Sequence, residues 1–269
     1  MEIEIFSWNV NVFTSSDESI VKKLSFLKKM ISNTPIVCLQ ECDENFYQSL
    51  LKEKLFDWCV FSLQLRKKGK YDTKNRRLGC IVAGNLPCLP TNTSLIYETP
   101  LPERNLVVDI KHAEKEFTVC SLHSLTGASY KRTKVVNFLT IADWLENRNK
   151  PMVFGIDANT PESDNPDLRE SNWWWKEEPI LFGVNAAHDM KDSYRIYLEA
   201  HPDLFKNIIS ENPEGPLAVS YKRGPQKIPC RYDSIYVSPE WETKQVQYFY
   251  EESVEHGSDH SIVIAKLFL

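Results

Sequence analysis

The apolar segments of this chain are short, and many of them begin or end in polar groups. The last runs from Ile262 to Phe268 and is entered through Ser258-Asp259-His260. Others are flanked by Trp8-Asn9, Gln40-Glu41, Leu122-His123-Ser124 and Asp157-Ala158-Asn159. The block Arg231-Tyr232-Asp233-Ser234-Ile235-Tyr236-Val237-Ser238 carries one more carboxylate inside an apolar stretch. Runs this short suit strands, and none approaches the roughly 18 apolar residues that span a bilayer. Such a chain folds as sheets whose strand ends gather acids, amides and imidazoles.

Helical spacing appears in two clear places. Ile20, Leu24, Leu27 and Ile31 predict an amphipathic helix over residues 17–32. Val135, Phe138, Leu139, Ala142 and Leu145 predict a second over 130–147. A shorter helix is expected over 43–52. Strands are expected over 3–8, 36–40, 58–63, 79–83, 95–97, 105–110, 116–122 and 152–156, with three more near the C-terminus. Residues 161–229 differ, holding eight of the chain's 15 prolines and the run Trp173-Trp174-Trp175. Helices are expected there over 190–200 and 202–210, with Pro202 suited to a first turn. The pattern predicts an α+β fold, with two sheets packed face to face and helices outside. The chain reads as a single domain, 1–269, with a rim insertion at about 161–229.

Composition narrows the class. Hydrophobic residues at 42% and charged residues at 26% are ordinary for a soluble globular protein with a sizeable core. The first five residues alternate charge and apolar side chains, which reads as a first strand and not a secretory leader. Seven cysteines without a C-x-x-C pair point to buried reduced thiols and a cytoplasmic location. The net charge of −5 argues against an extended nucleic-acid-coating surface, but not against local phosphate binding.

The polar groups suit metal-assisted phosphoester chemistry, which needs an activated water, shielding of phosphoryl charge and help for the leaving oxygen. Mg²⁺ is the natural metal because it takes oxygen ligands and needs only one or two carboxylates, and Mn²⁺ is the alternative. Glu41, leaving the strand at 36–40, fits as the main ligand. Asp157 and Asn159 lie two apart and face one side of an extended segment. There a carboxylate can orient or deprotonate water and an amide can donate to a phosphoryl oxygen. Asp233 sits in a run otherwise suited to a buried strand, and His260 is its economical partner. His123 closes another strand, and Asn9 follows Trp8. Taken singly, each of these has a plainer reading as a cap, a turn residue or a polar surface group; the argument rests on the ordered set.

That set resembles the endonuclease/exonuclease/phosphatase superfamily, which includes pancreatic-type deoxyribonuclease, exonuclease III-like abasic-site nucleases, sphingomyelinases, inositol polyphosphate 5-phosphatases and poly(A)-removing nucleases. The resemblance covers essentially the whole chain. It is carried by Ser7-Trp8-Asn9-Val10, Cys38-Leu39-Gln40-Glu41, Ser121-Leu122-His123-Ser124, Asp157-Ala158-Asn159, Arg231-Tyr232-Asp233-Ser234-Ile235 and Ser258-Asp259-His260. It implies a four-layer α/β/β/α sandwich with two mostly antiparallel sheets, and a divalent-metal phosphoesterase. In that family's terms Glu41 holds the metal, with Asn9 and Asp259 in its coordination sphere or its waters. Asp157 positions or activates the attacking water, and Asn159 holds the phosphate. His123 and His260, the latter oriented by Asp233, contact phosphoryl oxygens. Histidine at position 123 matches the deoxyribonuclease and phosphatase branches. One departure is that the family's glycine directly precedes the aspartate, whereas here Gly155-Ile156-Asp157 inserts a residue.

Residues 66–77 hold seven basic side chains in twelve positions, and Arg76 and Arg77 are candidate contacts to a polyanion, as is Arg223. The triple tryptophan can be a packed anchor or can stack bases; the anchor is favoured, because three adjacent side chains cannot all face one way. The expected activity is an intracellular phosphodiesterase, a nuclease acting on nucleic acid, working as a monomer without a membrane partner. The alternatives are a phosphomonoesterase or small-molecule phosphodiesterase of the same superfamily, such as one acting on inositol phosphates, and a catalytically silent binding module.

Overall fold

The computed structural model describes residues 1–12, 16–31, 35–67 and 76–269. Two six-stranded sheets pack face to face. The first contains β1 (Glu2–Asn9), β2 (Pro35–Cys42), β3 (Trp58–Phe61), β4 (Gly79–Gly84), β13 (Glu242–Phe249) and β14 (Ile262–Phe268). Their spatial order is β13-β14-β1-β2-β4-β3. The second contains β5 (Leu89–Leu95), β6 (Asn105–His112), β7 (Lys115–His123), β8 (Met152–Asp157), β9 (Lys191–Asp192) and β12 (Asp233–Val237), in the order β5-β6-β7-β8-β12-β9. β1 with β2 and β7 with β8 are parallel; the other pairs are antiparallel. A hairpin of β10 (Tyr221–Arg223) and β11 (Ile228–Cys230) stands apart.

Side-chain alternation builds the layers. Ile3, Ile5, Ile36, Cys38 and Val82 face inward from the first sheet and meet Val108, Phe117, Val119, Val153 and Ile235 of the second. Phe6, Trp8, Val37 and Leu39 point outward and are covered by α1 (Asp17–Met30) and α2 (Glu44–Glu53) through Ile20, Leu24, Leu27, Phe46 and Leu50. On the other side, Cys120, Leu122, Phe154 and Ile156 pack against Phe138, Ile141, Ala142 and Leu145 of a helix over Arg132–Glu146. This is the expected four-layer sandwich. Burying a strand on both faces needs apolar residues at consecutive positions, as in Ile36-Val37-Cys38-Leu39.

Several sequence expectations shift. The helix over 17–32 ends at Met30, and Ser32 lies outside the described residues. The strand over 58–63 stops at Phe61, where Ser62 turns the chain by donating to Glu103 O at 2.5 Å and accepting from Cys80 N at 2.8 Å. The strand expected over 95–97 is instead Leu89–Leu95, an exposed edge whose Pro90 and polar Thr-Asn-Thr masked it. The helix over Arg132–Glu146 is rotated from the predicted face. Leu139 is exposed and Val135 half-buried, while Lys134, Asn137 and Ile141 are buried. The helix turns this way because Lys134 pairs with buried Glu178 at 3.0 Å and Asn137 Oδ1 accepts from Asn105 at 3.3 Å. Within 161–229, β9 precedes a helix over Ser193–Glu199, so only part of 190–200 is helical. All seven cysteines are free. Among the described residues no helix is long and apolar enough to cross a membrane.

The sheets approach closely where Gly155 of β8 faces β1 and β2. A Cβ there would lie 2.6 Å from Ser7 Oγ and 2.9 Å from Cys38 Cβ. The glycine displaced from Asp157 is thus an inward-facing contact between sheets, and Ile156 faces the helix layer. Gly155→Ala should therefore cost about 1–3 kcal/mol through overpacking. Urea denaturation checks this; an unchanged midpoint would mean that the sheets can separate freely at this point.

Candidate active site

Follow the inward faces toward one end of the sandwich and they turn polar. On β1 the inward series is Ile3, Ile5, Ser7, Asn9; on β7 it is Phe117, Val119, Ser121, His123; on β8 it is Val153, Gly155, Asp157. β12 enters the sheet with Asp233, directly opposite Asp157, and β7 ends with His123 opposite the same residue. One edge of the core therefore carries Asn9, His123, Asp157 and Asp233. Behind them Gln40 Nε2 bridges the sheets, donating to Cys38 O and Ser121 Oγ at 3.1 Å each.

Glu41 reaches this edge by breaking alternation. Leu39 pairs with Ile81 but Cys42 pairs with Gly79, so β2 carries one extra residue. Glu41 sits in the bulge with φ +54°. Strict alternation would have sent it away from Gln40's face; the bulge re-aims it, a use common beside active sites. Its Oε1 lies 3.3 Å from His123 Nε2. Burial opposes its charge, but His123, His260 and Arg104 outweigh burial and hold the carboxyl down to about 2.

Asp157 is almost wholly buried and accepts three hydrogen bonds: Asn9 Nδ2 at 2.8 Å, Asn159 N at 3.0 Å and Asn159 Nδ2 at 3.2 Å. A carboxylate has about four acceptor sites, so about one remains for water. His123 Nε2 and His260 Nε2 lie 3.7 and 4.0 Å from Asp157 Oδ2. Arg104 Nη1 sits 3.3 Å from His123 Nδ1. A guanidinium can only donate, so Nδ1 accepts and Nε2 bears the proton facing the carboxylates.

Asp233 and His260 form the expected pair, Nδ1 to Oδ2 at 2.8 Å. Burial alone would lower the imidazole, but Asp233 and Asp157 push it up to about 10. Burial pushes Asp233 up to about 6, with His260 opposing. The Ser258-Asp259-His260 triplet is fastened to β1: Ser258 Oγ donates to Asn9 O at 2.6 Å and Trp8 Nε1 to His260 O at 3.1 Å. Asp259 itself is exposed, accepting from Asn11 Nδ2 at 2.7 Å.

The residues fit a cation. The carboxylates of Glu41 and Asp157 lie with the His123 ring in one group whose atoms are within 4.8 Å of one another, and Asp157 and Asp233 lie likewise with His260, so the carboxylates would ligate while the imidazoles donate; Asp259 belongs to neither group. Two carboxylates crowded around one imidazole concentrate negative charge that a divalent ion would relieve.

Sequence reasoning missed several groups here. Lys134 Nζ donates to Asn159 O at 2.8 Å and so supports the Asp157-Asn159 turn, where Asn159 has φ +50°. Burial lowers the Lys134 ammonium, with Glu178 opposing. Buried Lys23 donates to Asn11 O at 3.1 Å; burial lowers it to about 8, against Asp259 and Glu41. Lys23 falls at helical spacing with Ile20, Leu24 and Leu27, a signal that was readable. Arg104 and Ser220 carried none; Ser220 Oγ accepts from Tyr232 N and Asp233 N at 2.8 and 2.9 Å.

The expected substrate arginines are placed unevenly. Arg76 grips buried Glu103 through two bonds of 2.7 and 2.5 Å, next to Arg104. Arg77 is exposed, and residues 68–75 of the basic stretch lie outside the described residues. The Arg223 guanidinium lies 4.6 Å over the Trp174 ring.

No protein-family model matches the sequence, and no curated protein does. Solved structures match nearly its full length. TDP2 from D. rerio complexed with single-strand DNA product is 12% identical, with 100% of this chain and 99% of that one covered and a TM-score of 0.67. The human Nocturnin catalytic domain with bound sulfate is 15% identical, with 99% and 94% covered and a TM-score of 0.66. An endonuclease/exonuclease/phosphatase from Bacteroides vulgatus is 17% identical, with 100% and 99% covered and a TM-score of 0.65. The chain has the fold of that superfamily.

The dyad makes a pH prediction. His260's folded pKa near 10 lies above its ordinary 6.5. Its contribution to stability is therefore complete below about pH 6.5 and is lost as pH rises through the folded value. Nitrogen NMR of the metal-free protein should find the ring doubly protonated at about pH 8, and Asp233→Asn should lower its titration. A wild-type ring that titrates near its ordinary value contradicts the ion pair.

Proposed function

We propose that this protein is a divalent-metal-dependent phosphodiesterase, with Mg²⁺ as the metal, Mn²⁺ as the alternative, and nucleic acid as the substrate class. The observation that carries the reading is the convergence of Glu41, His123, Asp157, Asn159, Asp233 and His260 on one polar edge of an otherwise apolar sandwich. The fold shared with a TDP2 complexed with single-strand DNA product supports nucleic acid as the class. The protein acts in the cytoplasm as a monomer under this reading.

Each side chain then has a task. Glu41 would hold the metal, with Asn9 and Asp259 serving its coordination sphere or its waters. Bound there, Mg²⁺ supplies positive charge against the phosphoryl oxygens and the leaving oxygen. Asp157 has about one acceptor site left, enough to orient a water or take its proton. Asn9 and Asn159 fix that carboxylate, and Asn159 holds the phosphate. The Nε2 atoms of His123 and His260 aim at the same carboxylate oxygen, so a phosphoryl oxygen between them meets two donors. Asp233 keeps His260 oriented and supports its positive form.

A phosphomonoesterase or small-molecule phosphodiesterase is the second reading. It is favoured by the engagement of Arg76 with Glu103, which turns one expected polyanion contact toward the protein. A metal-dependent screen over single- and double-stranded DNA, RNA, cyclic dinucleotides and inositol phosphates separates the two.

Glu41→Gln should weaken metal binding by calorimetry and sharply lower turnover. Activity that persists in excess chelator would remove the metal from the reaction. Asp233→Asn and His260→Ala should each lower kcat by about 100- to 10,000-fold, the range of a positioned acid–base group. The double variant should lose little more than His260→Ala alone. Fully multiplicative losses would mean that the two side chains act independently.

A further inference from the structure

The triple tryptophan is not one unit. Trp173 packs against the apolar cluster that contains Phe138 and Phe182. Trp175 sits beside Gly127, whose added Cβ would lie 3.3 Å from its Nε1. Trp174 is turned outward and is 39% exposed, although its backbone is held firmly. Its N–H donates at 3.0 Å to Glu178 Oε2, and Glu178 also pairs with Lys134, which holds Asn159. The rim tryptophan and the Asp157-Asn159 turn thus share one buried support.

A row of rings leads from the site to the same place. Tyr221 stacks on His260 at 4.7 Å and on Tyr232 at 5.5 Å, so its ring is held by both. Burial holds the Tyr232 phenol above its usual range, while the Trp174 indole, which can only donate, works the other way. Arg223, two residues after Tyr221 on β10, lays its guanidinium over Trp174. Among the described residues its ion partner is Glu162, at a long 3.7 Å. An exposed aromatic ring and a cation are therefore fixed at the rim beside the histidine dyad. The plain explanation, a surface cation–π contact, is worth about 0.5–1 kcal/mol and does not require the ring to be anchored to the catalytic turn.

We propose that Trp174 and Arg223 form a stacking subsite for the nucleobase of a nucleotide flanking the scissile phosphate, so that the site takes single-stranded nucleic acid. This rests on the nucleic-acid reading of the site. A base inside a duplex has no free face, whereas an unpaired base can lie on an indole or a guanidinium without sequence preference. Tyr221 and Tyr232 are struts that set the distance between subsite and His260.

The test measures binding by fluorescence anisotropy, with two labelled single-stranded phosphorothioate probes, one carrying bases and one abasic throughout. Cleavage of the matching natural oligonucleotide is followed in parallel. Trp174→Ala should weaken binding of the base-carrying probe by about tenfold or more. The abasic probe should register little of that loss. Trp174→Phe should restore most of the binding, which also guards against a misfolded alanine variant; circular dichroism checks both proteins. Arg223→Gln should weaken the base-carrying probe in the same sense. Equal losses on both probes, or no loss on either, overturn the subsite while cleavage by the wild type leaves the nuclease reading standing. A wild type that neither binds nor cleaves any oligonucleotide overturns that reading, and the subsite with it.

Discussion

The close approach of the two sheets at Gly155 is the constraint on which the site depends. Without a side chain at that point, Ser7 and Cys38 come against β8, and Asn9 two residues further along β1 reaches Asp157 at 2.8 Å. Gln40 fills the neighbouring position and donates to both its own strand and Ser121 of the opposite sheet. These polar links stand buried at the end of the core. A side chain at 155 would push apart the two sheets that hold the halves of the site.

Charge balance is the second requirement. Glu41, Asp157 and Asp233 are three acids at the edge of an apolar core, and burial penalises each unless it is paired. His260, Arg104 and, at longer range, Lys23 oppose them, while Lys134 and Glu178 neutralise each other beneath Asn159. Breaking one partner of such a buried pair costs far more than the pair contributes to stability. The groups are therefore arranged for placement and charge, with stability supplied by the three apolar clusters.

The rim between residues 161 and 229 is tied down in a similar way. Arg231, next to the dyad segment, is buried and binds Asp164 and Asp192 at 2.7 and 2.6 Å. Asp164 also takes Arg195, and Tyr248 donates to Asp233 O at 3.0 Å. The proline-rich segment thus docks onto the strand that carries Asp233, which fixes the rim that bears Trp174 and the β10–β11 hairpin.

The sequence by itself determined the layers and which polar groups stand at the strand ends. Period-two runs such as 117–123 and period-3.6 runs such as 20–27 report which faces are apolar, because local geometry alone sets those periods. The same alternation placed Asn9, His123, Asp157 and Asp233 at strand ends. It could not rotate the helix at 132–146, since the buried Lys134–Glu178 pair joins residues 44 positions apart. Nor could it see that Glu41 occupies a bulge, because an extra residue exists only relative to the partner strand β4. Lys23 lay on a readable helical face, but Arg104, Ser220 and the outward turn of Trp174 did not. Their roles come from long-range contacts, and those exist only once the two sheets have closed on each other.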